Sequence, residues 1–151
     1  MYYKTFSALF SLLLFTPLFA KKVEPTYKQI AYGPHQDMVL NFWKIDSMKP
    51  TPLLVHIHGG GWLGGKKNET TSPNQLRNGY SYASIDYRLA GTELLPAAVH
   101  DAARAIQFLR TKAEEWNIDP ECIAVTGGSA GAASSMWLAY HDDLADPESK
   151  D

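Results

Sequence analysis

The sequence predicts an α/β fold in which crossover helices connect the strands of a mostly parallel sheet. Short apolar runs at residues 53–57, 80–87 and 122–126 have the length and composition of buried strands. A segment with helical periodicity begins at residue 96, and a run of small residues begins at residue 132. Strands that alternate with helices favour a parallel sheet, because a crossover must precede the next parallel strand.

The remaining elements follow from local signals. Residues 23–32 and 38–45 predict two strands joined by a turn at residues 33–35. Residues 68–78 are polar and predict an exposed connection. Cys122 is the only cysteine, which excludes an intrachain disulfide, and its place directly before a strand predicts a small buried side chain.

The periodic segment predicts an amphipathic helix. Pro96 opens it, since the missing N–H of proline costs nothing in the first turn. The sequence Asn-Ile-Asp-Pro at residues 117–120 ends it. One face of the helix is apolar and consists of Val99, Ala102, Ala103, Ile106 and Leu109.

Length, composition and charge narrow the class of protein. The chain has 151 residues, which favours one domain, and its 45% apolar and 20% charged residues are ordinary for a soluble globular protein. The formal net charge is −2, and no basic stripe is present. We therefore expect no nucleic-acid partner.

The first 20 residues differ from the rest of the chain. Residues 6–19 are almost wholly apolar, a lysine precedes them, and Ala20 follows. This pattern is typical of a secretory signal peptide that is cleaved after Ala20, and an uncleaved membrane anchor is the alternative. We expect residues 1–20 to be the signal peptide and the mature protein, from residue 21, to be secreted or periplasmic. Membrane contact is expected only through an uncleaved leader.

A glycine-flanked serine follows the last predicted strand. The pentapeptide Gly127-Gly128-Ser129-Ala130-Gly131 comes directly after the apolar residues 123–126 and before the run of small residues. Strand, sharp turn and helix in this order fit the G-x-S-x-G nucleophile elbow, which holds a serine hydroxyl clear of the sheet beside a helix N-terminus. The sequence therefore predicts a nucleophilic role for Ser129, and a glycine loop without chemistry is the alternative.

A second glycine loop follows the strand at residues 53–57. It reads His58-Gly59-Gly60-Gly61-Trp62. Three consecutive glycines leave the backbone without side-chain cover, so its N–H groups can face an anion. Acyl transfer needs such donors for the oxyanion of its tetrahedral intermediate. Two such loops, each after a strand, predict a nucleophile and an oxyanion hole.

With these motifs the chain resembles the N-terminal half of an α/β-hydrolase, from the esterase and lipase group that carries an H-G-G-G loop. This group contains the hormone-sensitive-lipase-like and acetyl-xylan-esterase-like carboxylesterases. The resemblance spans roughly residues 32–140 and also includes Asp86-Tyr87-Arg88-Leu89 and Pro96-Ala97-Ala98-Val99-His100-Asp101. It implies that residues 21–151 are the N-terminal part of a single α/β-hydrolase domain.

The resemblance also implies roles for individual residues. Ser129 would be the nucleophile, and Gly60, Gly61 and Ala130 would supply the oxyanion N–H groups. His58 would shape the loop and would not be the catalytic base. Trp62 is a candidate for lining the acyl pocket, and packing is its alternative role. The implied substrates are small-molecule or carbohydrate esters, with short acyl groups, and the implied reaction uses no metal and no organic cofactor.

The catalytic base and its carboxylate have no credible candidate in the sequence. In this fold the carboxylate and then the histidine follow the serine. His141 is twelve residues beyond Ser129, a helical span of about 18 Å, and cannot reach back to it. Packing, turn or backbone roles are expected for the other histidines, which are His35, His56, His58 and His100. The sequence therefore indicates a C-terminal truncation, and the alternative function is an inactive hydrolase fragment.

Two other classes of protein fit parts of the pattern. Residues 60–66 match the P-loop spacing G-x-x-x-x-G-K, but Lys67 stands where a magnesium-binding serine or threonine is required. A peptidase of the prolyl-oligopeptidase type shares the expected fold. Such peptidases favour a bulky residue after the serine, whereas Ala130-Gly131-Ala132 together with the His58 loop favours an esterase.

Overall fold

The computed structural model describes residues 22–141. The predicted signal peptide, residues 1–20, lies outside this range, as do the residues after 141. Among the described residues, no helix is long and apolar enough to cross a bilayer.

One five-stranded sheet forms the centre of the molecule. Its strands are β1 (Tyr27–Ala31), β2 (Val39–Trp43), β3 (Thr51–Ile57), β4 (Ser81–Ile85) and β5 (Ile118–Gly127). Their order across the sheet is β1-β2-β4-β3-β5. β3 pairs in parallel with β4 and β5, while β2 is antiparallel to both of its neighbours, so four of the five strands run in one direction. The predicted α/β class with a mostly parallel sheet is confirmed.

Helices connect the parallel strands. They are α1 (Pro73–Leu76), α2 (Ala97–Thr111), α3 (Ala113–Trp116) and α4 (Ala130–Tyr140). α2 begins directly after Pro96, as predicted, and the predicted apolar face is buried or packed against the core. Asn117 caps α3 in the left-handed conformation, with φ 59°. α4 packs against β5 and β3, and α2 lies beside α4.

The core lies between the sheet and α2. Apolar side chains from β2, β3 and β4 meet alanines of α2, and Phe42 and Trp116 pack with ring centroids 4.7 Å apart. Tyr27 adds a stacked contact to Trp116 at 4.8 Å. Because neighbouring strands share this core, their ends are fixed relative to each other. Ile57, Ile85 and Gly127 align across the sheet, so the loops that follow β3, β4 and β5 leave from the same edge.

The segment at residues 68–78 differs from the prediction. It contains the short helix α1, capped by the Ser72 hydroxyl, and its beginning is partly buried. The Asn68 side chain donates to the Tyr82 hydroxyl, and the Asn68 backbone carbonyl accepts from the side-chain amide of the buried Asn41 at 2.8 Å. Asn41 also accepts from the Gln29 N–H at 2.9 Å. Long-range polar contacts of this kind leave no local signal in the sequence, which explains the wrong prediction.

β5 begins four residues earlier than predicted and is irregular. Its register against β3 shifts between the pair Thr51–Ile118 and the pair Leu53–Ile123. The residues between lie outside the regular ladder, which is how a strand accommodates a proline such as Pro120. Cys122 lies in this irregular stretch at the outer edge of the sheet and is exposed, so the prediction of a buried thiol was wrong.

Candidate active site

Ser129 stands at a sharp turn between β5 and α4. Its backbone has φ 54° and ψ −119°, a region that side-chain-bearing residues seldom adopt. Such strain persists only where the surrounding structure imposes it, and it clusters at functional sites. Ser129 is exposed, and its hydroxyl makes no hydrogen bond within residues 22–141.

Two glycines impose this turn through close approach to β3. A Cβ on Gly131 would lie 2.1 Å from the Ile57 carbonyl oxygen, and a Cβ on Gly127 would lie 2.5 Å from the same atom. Neither distance can be relieved by moving a side chain, because Ile57 presents its backbone. The elbow therefore needs glycine on both sides of Ser129 for packing reasons.

The glycine loop after β3 lies against the elbow. A Cβ on Gly59 would meet the Gly128 carbonyl oxygen at 2.6 Å and the Ser129 Cβ at 3.5 Å. Gly60 and Gly61 have φ of 109° and 63°, which favour glycine. The loop closes on itself, since the N–H groups of residues 63 and 64 donate to the Gly60 carbonyl. The two predicted loops are thus brought together.

Three backbone donors at this junction are unused. The N–H groups of Gly60, Gly61 and Ala130 have no acceptor among residues 22–141. For Ala130 this follows from its place in the first turn of α4, where N–H groups lack intrahelical partners. The residues to which the resemblance assigns the oxyanion hole therefore carry donors without an acceptor among residues 22–141, in two loops that meet where Gly59 faces Gly128 and Ser129.

His58 is buried at the base of the glycine loop and is 5% exposed. Its Nδ1 lies 2.7 Å from the Gly59 carbonyl oxygen. The ring stacks on Tyr87 with centroids 4.2 Å apart, and the Tyr87 hydroxyl donates to the His58 carbonyl at 2.8 Å. These contacts fit the predicted loop-shaping position. Burial, and then the nearby Asp86, raise the pKa of Tyr87 to about 12, so its hydroxyl stays protonated as a donor.

A buried ion pair behind His58 was missed by the sequence analysis. Lys67 is 5% exposed, and its Nζ lies 3.1 Å from Oδ2 of Asp86 and 3.1 Å from Oε1 of Glu69. The hydrogen bond from Lys67 lowers the pKa of Glu69. A buried lysine needs such partners, because desolvation penalises its charge. Only the double lysine Lys66-Lys67 after the loop could have suggested that one of the two points inward.

Trp62 sits beside the elbow with its indole half-buried. The indole N–H donates to the Ser134 hydroxyl of α4 at 3.1 Å, and its carbonyl accepts from Ala90 at 2.7 Å. The ring also packs against the core. These contacts support the packing alternative for Trp62, and its role in an acyl pocket stays a prediction.

No histidine in the described part of the chain forms a hydrogen bond with Ser129. His56 pairs with the Ser84 hydroxyl at 3.3 Å, and His141, after α4, stacks on Trp137 with centroids 4.9 Å apart. Burial, followed by the neighbouring His58, lowers the pKa of His56. Residues 22–141 also contain no group of three or more His, Cys, Asp or Glu that could hold a metal ion.

A serine elbow after a parallel strand, next to a glycine loop with free N–H groups, defines an α/β-hydrolase. The family model BD-FAE matches residues 42–150, and the chain belongs to this family. Among solved structures, an acetyl ester-xyloside bifunctional hydrolase from Caldicellulosiruptor lactoaceticus superposes with a TM-score of 0.70 at 28% identity, covering 85% of this chain and 52% of that one. Esterase 2 of Thermogutta terrifontis superposes with a TM-score of 0.58 at 31% identity, covering 74% and 44%.

Curated relatives are named as esterases. Esterase LipQ of Mycobacterium tuberculosis is 32% identical over 127 residues, which cover 78% of this chain and 30% of that protein. An arylesterase of Saccharolobus solfataricus is 42% identical over 98 residues, covering 61% and 32%. The chain thus spans less than a third of the length of these relatives.

Proposed function

We propose that the whole protein is a carboxylic-ester hydrolase with Ser129 as its nucleophile. The observation that carries the proposal is the junction of the strained, exposed Ser129 with a loop whose Gly60 and Gly61 amides lack acceptors among residues 22–141. Relatives named as esterases support the same reaction class.

We propose a reaction in two halves, formation of an acyl-enzyme and its hydrolysis. The Ser129 oxygen attacks the ester carbonyl carbon while a base takes the hydroxyl proton, and the carbonyl oxygen becomes an oxyanion. The N–H groups of Gly60, Gly61 and Ala130 donate to that oxyanion. The tetrahedral intermediate collapses, the alcohol leaves with the proton, and water then releases the acid from the acyl-enzyme. The base and its carboxylate come from outside residues 22–141.

The substrates we propose are esters with short acyl groups, including acetylated sugars. Support comes from the Caldicellulosiruptor protein, which is named as a hydrolase of acetyl esters and xylosides. Acetylated xylo-oligosaccharide should be hydrolysed faster than an aryl ester with a long acyl chain. Preference for the long chain would contradict the short-acyl proposal without affecting the role of Ser129.

Hydrolysis of an aryl acetate by Ser129→Ala tests the reaction. The variant should lose activity by at least about a thousandfold, because the nucleophile and its base act as a unit. Ser135→Ala is the matched control, since Ser135 lies on α4 and bonds only the Gly131 carbonyl. It should keep nearly full activity. Equal activity in Ser129→Ala and the parent would overturn the proposal.

A hydrolase fold without catalysis is the second candidate. It is favoured by the absence of any base near Ser129 within residues 22–141. It predicts that the whole protein hydrolyses no ester and that Ser129→Ala changes nothing.

We also propose that the protein works outside the cytoplasm after removal of residues 1–20. The apolar run and the small residue before two lysines support this location. The mass of the protein recovered from its producing cells should correspond to a chain that starts at Lys21. A mass that retains Met1 would contradict cleavage.

A further inference from the structure

Lys67 donates hydrogen bonds to both oxygens of the Asp86 carboxylate. Its backbone N–H donates to Oδ1 at 2.5 Å, and its ammonium donates to Oδ2 at 3.1 Å. The Lys67 side chain is 2% exposed and the Asp86 side chain 18% exposed, so these bonds are largely shielded from water. The Asp86 carboxylate is therefore neutralised and hydrogen-bonded before any other donor reaches it.

His58 faces Asp86 with one ring nitrogen and the glycine loop with the other. Nε2 is 3.6 Å from Oδ1 of Asp86, which is too long for a hydrogen bond. Nδ1 is 2.7 Å from the Gly59 carbonyl oxygen, and a carbonyl can only accept. The proton must therefore be on Nδ1. The other ionisable groups that neighbour His58 in the described structure are Tyr87 and His56.

We propose that Lys67 is a positioning residue that sets the tautomer of His58. Because Lys67 already donates to both oxygens of the Asp86 carboxylate, the Nε2 atom of the buried imidazole faces no unsatisfied acceptor. It donates from Nδ1 to the Gly59 carbonyl. The bond from Nδ1 spans the start of the oxyanion loop, next to Ser129.

The loop leaves little space for another arrangement of this histidine. A Cβ on Gly65 would lie 2.4 Å from His58 Nδ1 and 2.4 Å from the Gly59 carbonyl oxygen, so Gly65 packs directly onto this hydrogen bond. Tyr87 holds the ring from the other side. A change of tautomer would therefore disturb the loop itself. This consequence for catalysis rests on the proposed function, whereas the tautomer does not.

Nitrogen-15 NMR of the His58 ring in the whole protein tests the proposal at neutral pH. The parent should show a protonated Nδ1 and an unprotonated Nε2. In Lys67→Met, which keeps the side-chain length but removes the charge, Asp86 loses the donor to Oδ2, and Nε2 should become protonated. Lys67→Arg should restore the parent pattern. Glu69→Gln is the matched control, because it changes the other partner of Lys67 and leaves Asp86 paired; its His58 spectrum should match the parent.

A protonated Nε2 in the parent would overturn the proposal, as would an unchanged His58 spectrum in folded Lys67→Met. If Lys67→Met does not fold, Lys67→Gln takes its place, with the same expected protonation of Nε2 and the same contradicting result. In an active protein, Lys67→Met should also lower kcat by about tenfold or more with KM little changed, because the oxyanion exists only after attack. If the parent hydrolyses no ester, the proposed function is contradicted, whereas the NMR test of the His58 tautomer is unaffected.

Discussion

The two loops of the candidate site are supported in different ways. The glycine loop after β3 rests on three buried residues, His58, Lys67 and Tyr87, each at most 5% exposed. The His58 ring pairs with the Gly59 carbonyl, Lys67 donates to Asp86, and the Tyr87 hydroxyl donates to the His58 carbonyl. The serine elbow rests on close backbone contacts of Gly127 and Gly131 with Ile57 at the end of β3. Beyond it, α4 presents Met136, Trp137 and Tyr140 with 61%, 45% and 81% exposure.

This difference indicates which groups of the candidate site are already held in place by the described residues. Two of the proposed oxyanion donors, Gly60 and Gly61, lie in the loop after β3, whose support comes from β3, β4 and the loops that follow them, whereas the third, Ala130, lies at the start of α4. The serine side has its backbone fixed but its hydroxyl unpartnered within residues 22–141. The backbone of the proposed nucleophile is thus positioned by steric contacts, and its hydroxyl has no hydrogen-bond partner within residues 22–141.

The largest expected effect is on the steric support of the elbow. Gly131→Ala should destabilise the protein by about 3 kcal/mol, because the new Cβ would lie 2.1 Å from the Ile57 carbonyl oxygen. An ordinary glycine-to-alanine substitution within a helix stabilises the protein, so the change in unfolding free energy expected here has the opposite sign. Urea unfolding of the variant and the parent measures it.

Gly128→Ala is the matched control, since nothing lies within 4 Å of a Cβ built there. Its free energy of unfolding should change by less than about 0.5 kcal/mol. Equal effects of the two substitutions would show that close approach to β3 does not hold the elbow.

The next largest effect concerns the buried hydrogen bond between Tyr87 and the start of the glycine loop. Tyr87→Phe removes the hydroxyl that donates to the His58 carbonyl and should cost about 1 to 2 kcal/mol of unfolding free energy. Tyr80→Phe is the control, because the Tyr80 hydroxyl accepts only from the exposed Asn78 amide. If both variants unfold at the same urea concentration, the bond to His58 contributes nothing to the loop.

The smallest effect is a pH dependence that arises from His56. Burial and the neighbouring His58 lower the pKa of His56 from 6.5, so the unfolded chain binds this proton more readily than the folded one. The stability contribution of His56 is complete above pH 6.5 and is lost as the pH falls below it. Urea midpoints between pH 7.5 and pH 5.5 should therefore fall less in His56→Gln than in the parent. The exposed His100→Gln should retain the parent's slope, and a parent slope in His56→Gln would contradict the prediction.

Much of the fold could be predicted from local patterns. The apolar runs identified β3, β4 and the second half of β5, and the periodicity after Pro96 identified α2. The short β1 and β2 lie inside the predicted ranges. The irregular start of β5 could not be predicted, because the signal at Pro120 normally ends an element and the register shift depends on β3.

The glycine-rich segments made part of the candidate site predictable from the sequence. Gly60, Gly61 and Ser129 stand out because their backbone conformations are unusual. The pairing of Lys67 with Asp86 joins residues 19 positions apart through a buried contact, and neither residue type signals burial. Unusual backbone conformations leave a local signal in the sequence, namely glycine. Ion pairs between residues distant in the sequence leave no such signal.

Covalent labelling of the whole protein with a fluorophosphonate, followed by peptide mapping, tests the central claim most directly. The adduct should map to Ser129 in the parent and in Ser135→Ala, and Ser129→Ala should carry none. An adduct on another residue, or no adduct on the folded parent, would contradict the assignment of Ser129 as an activated nucleophile.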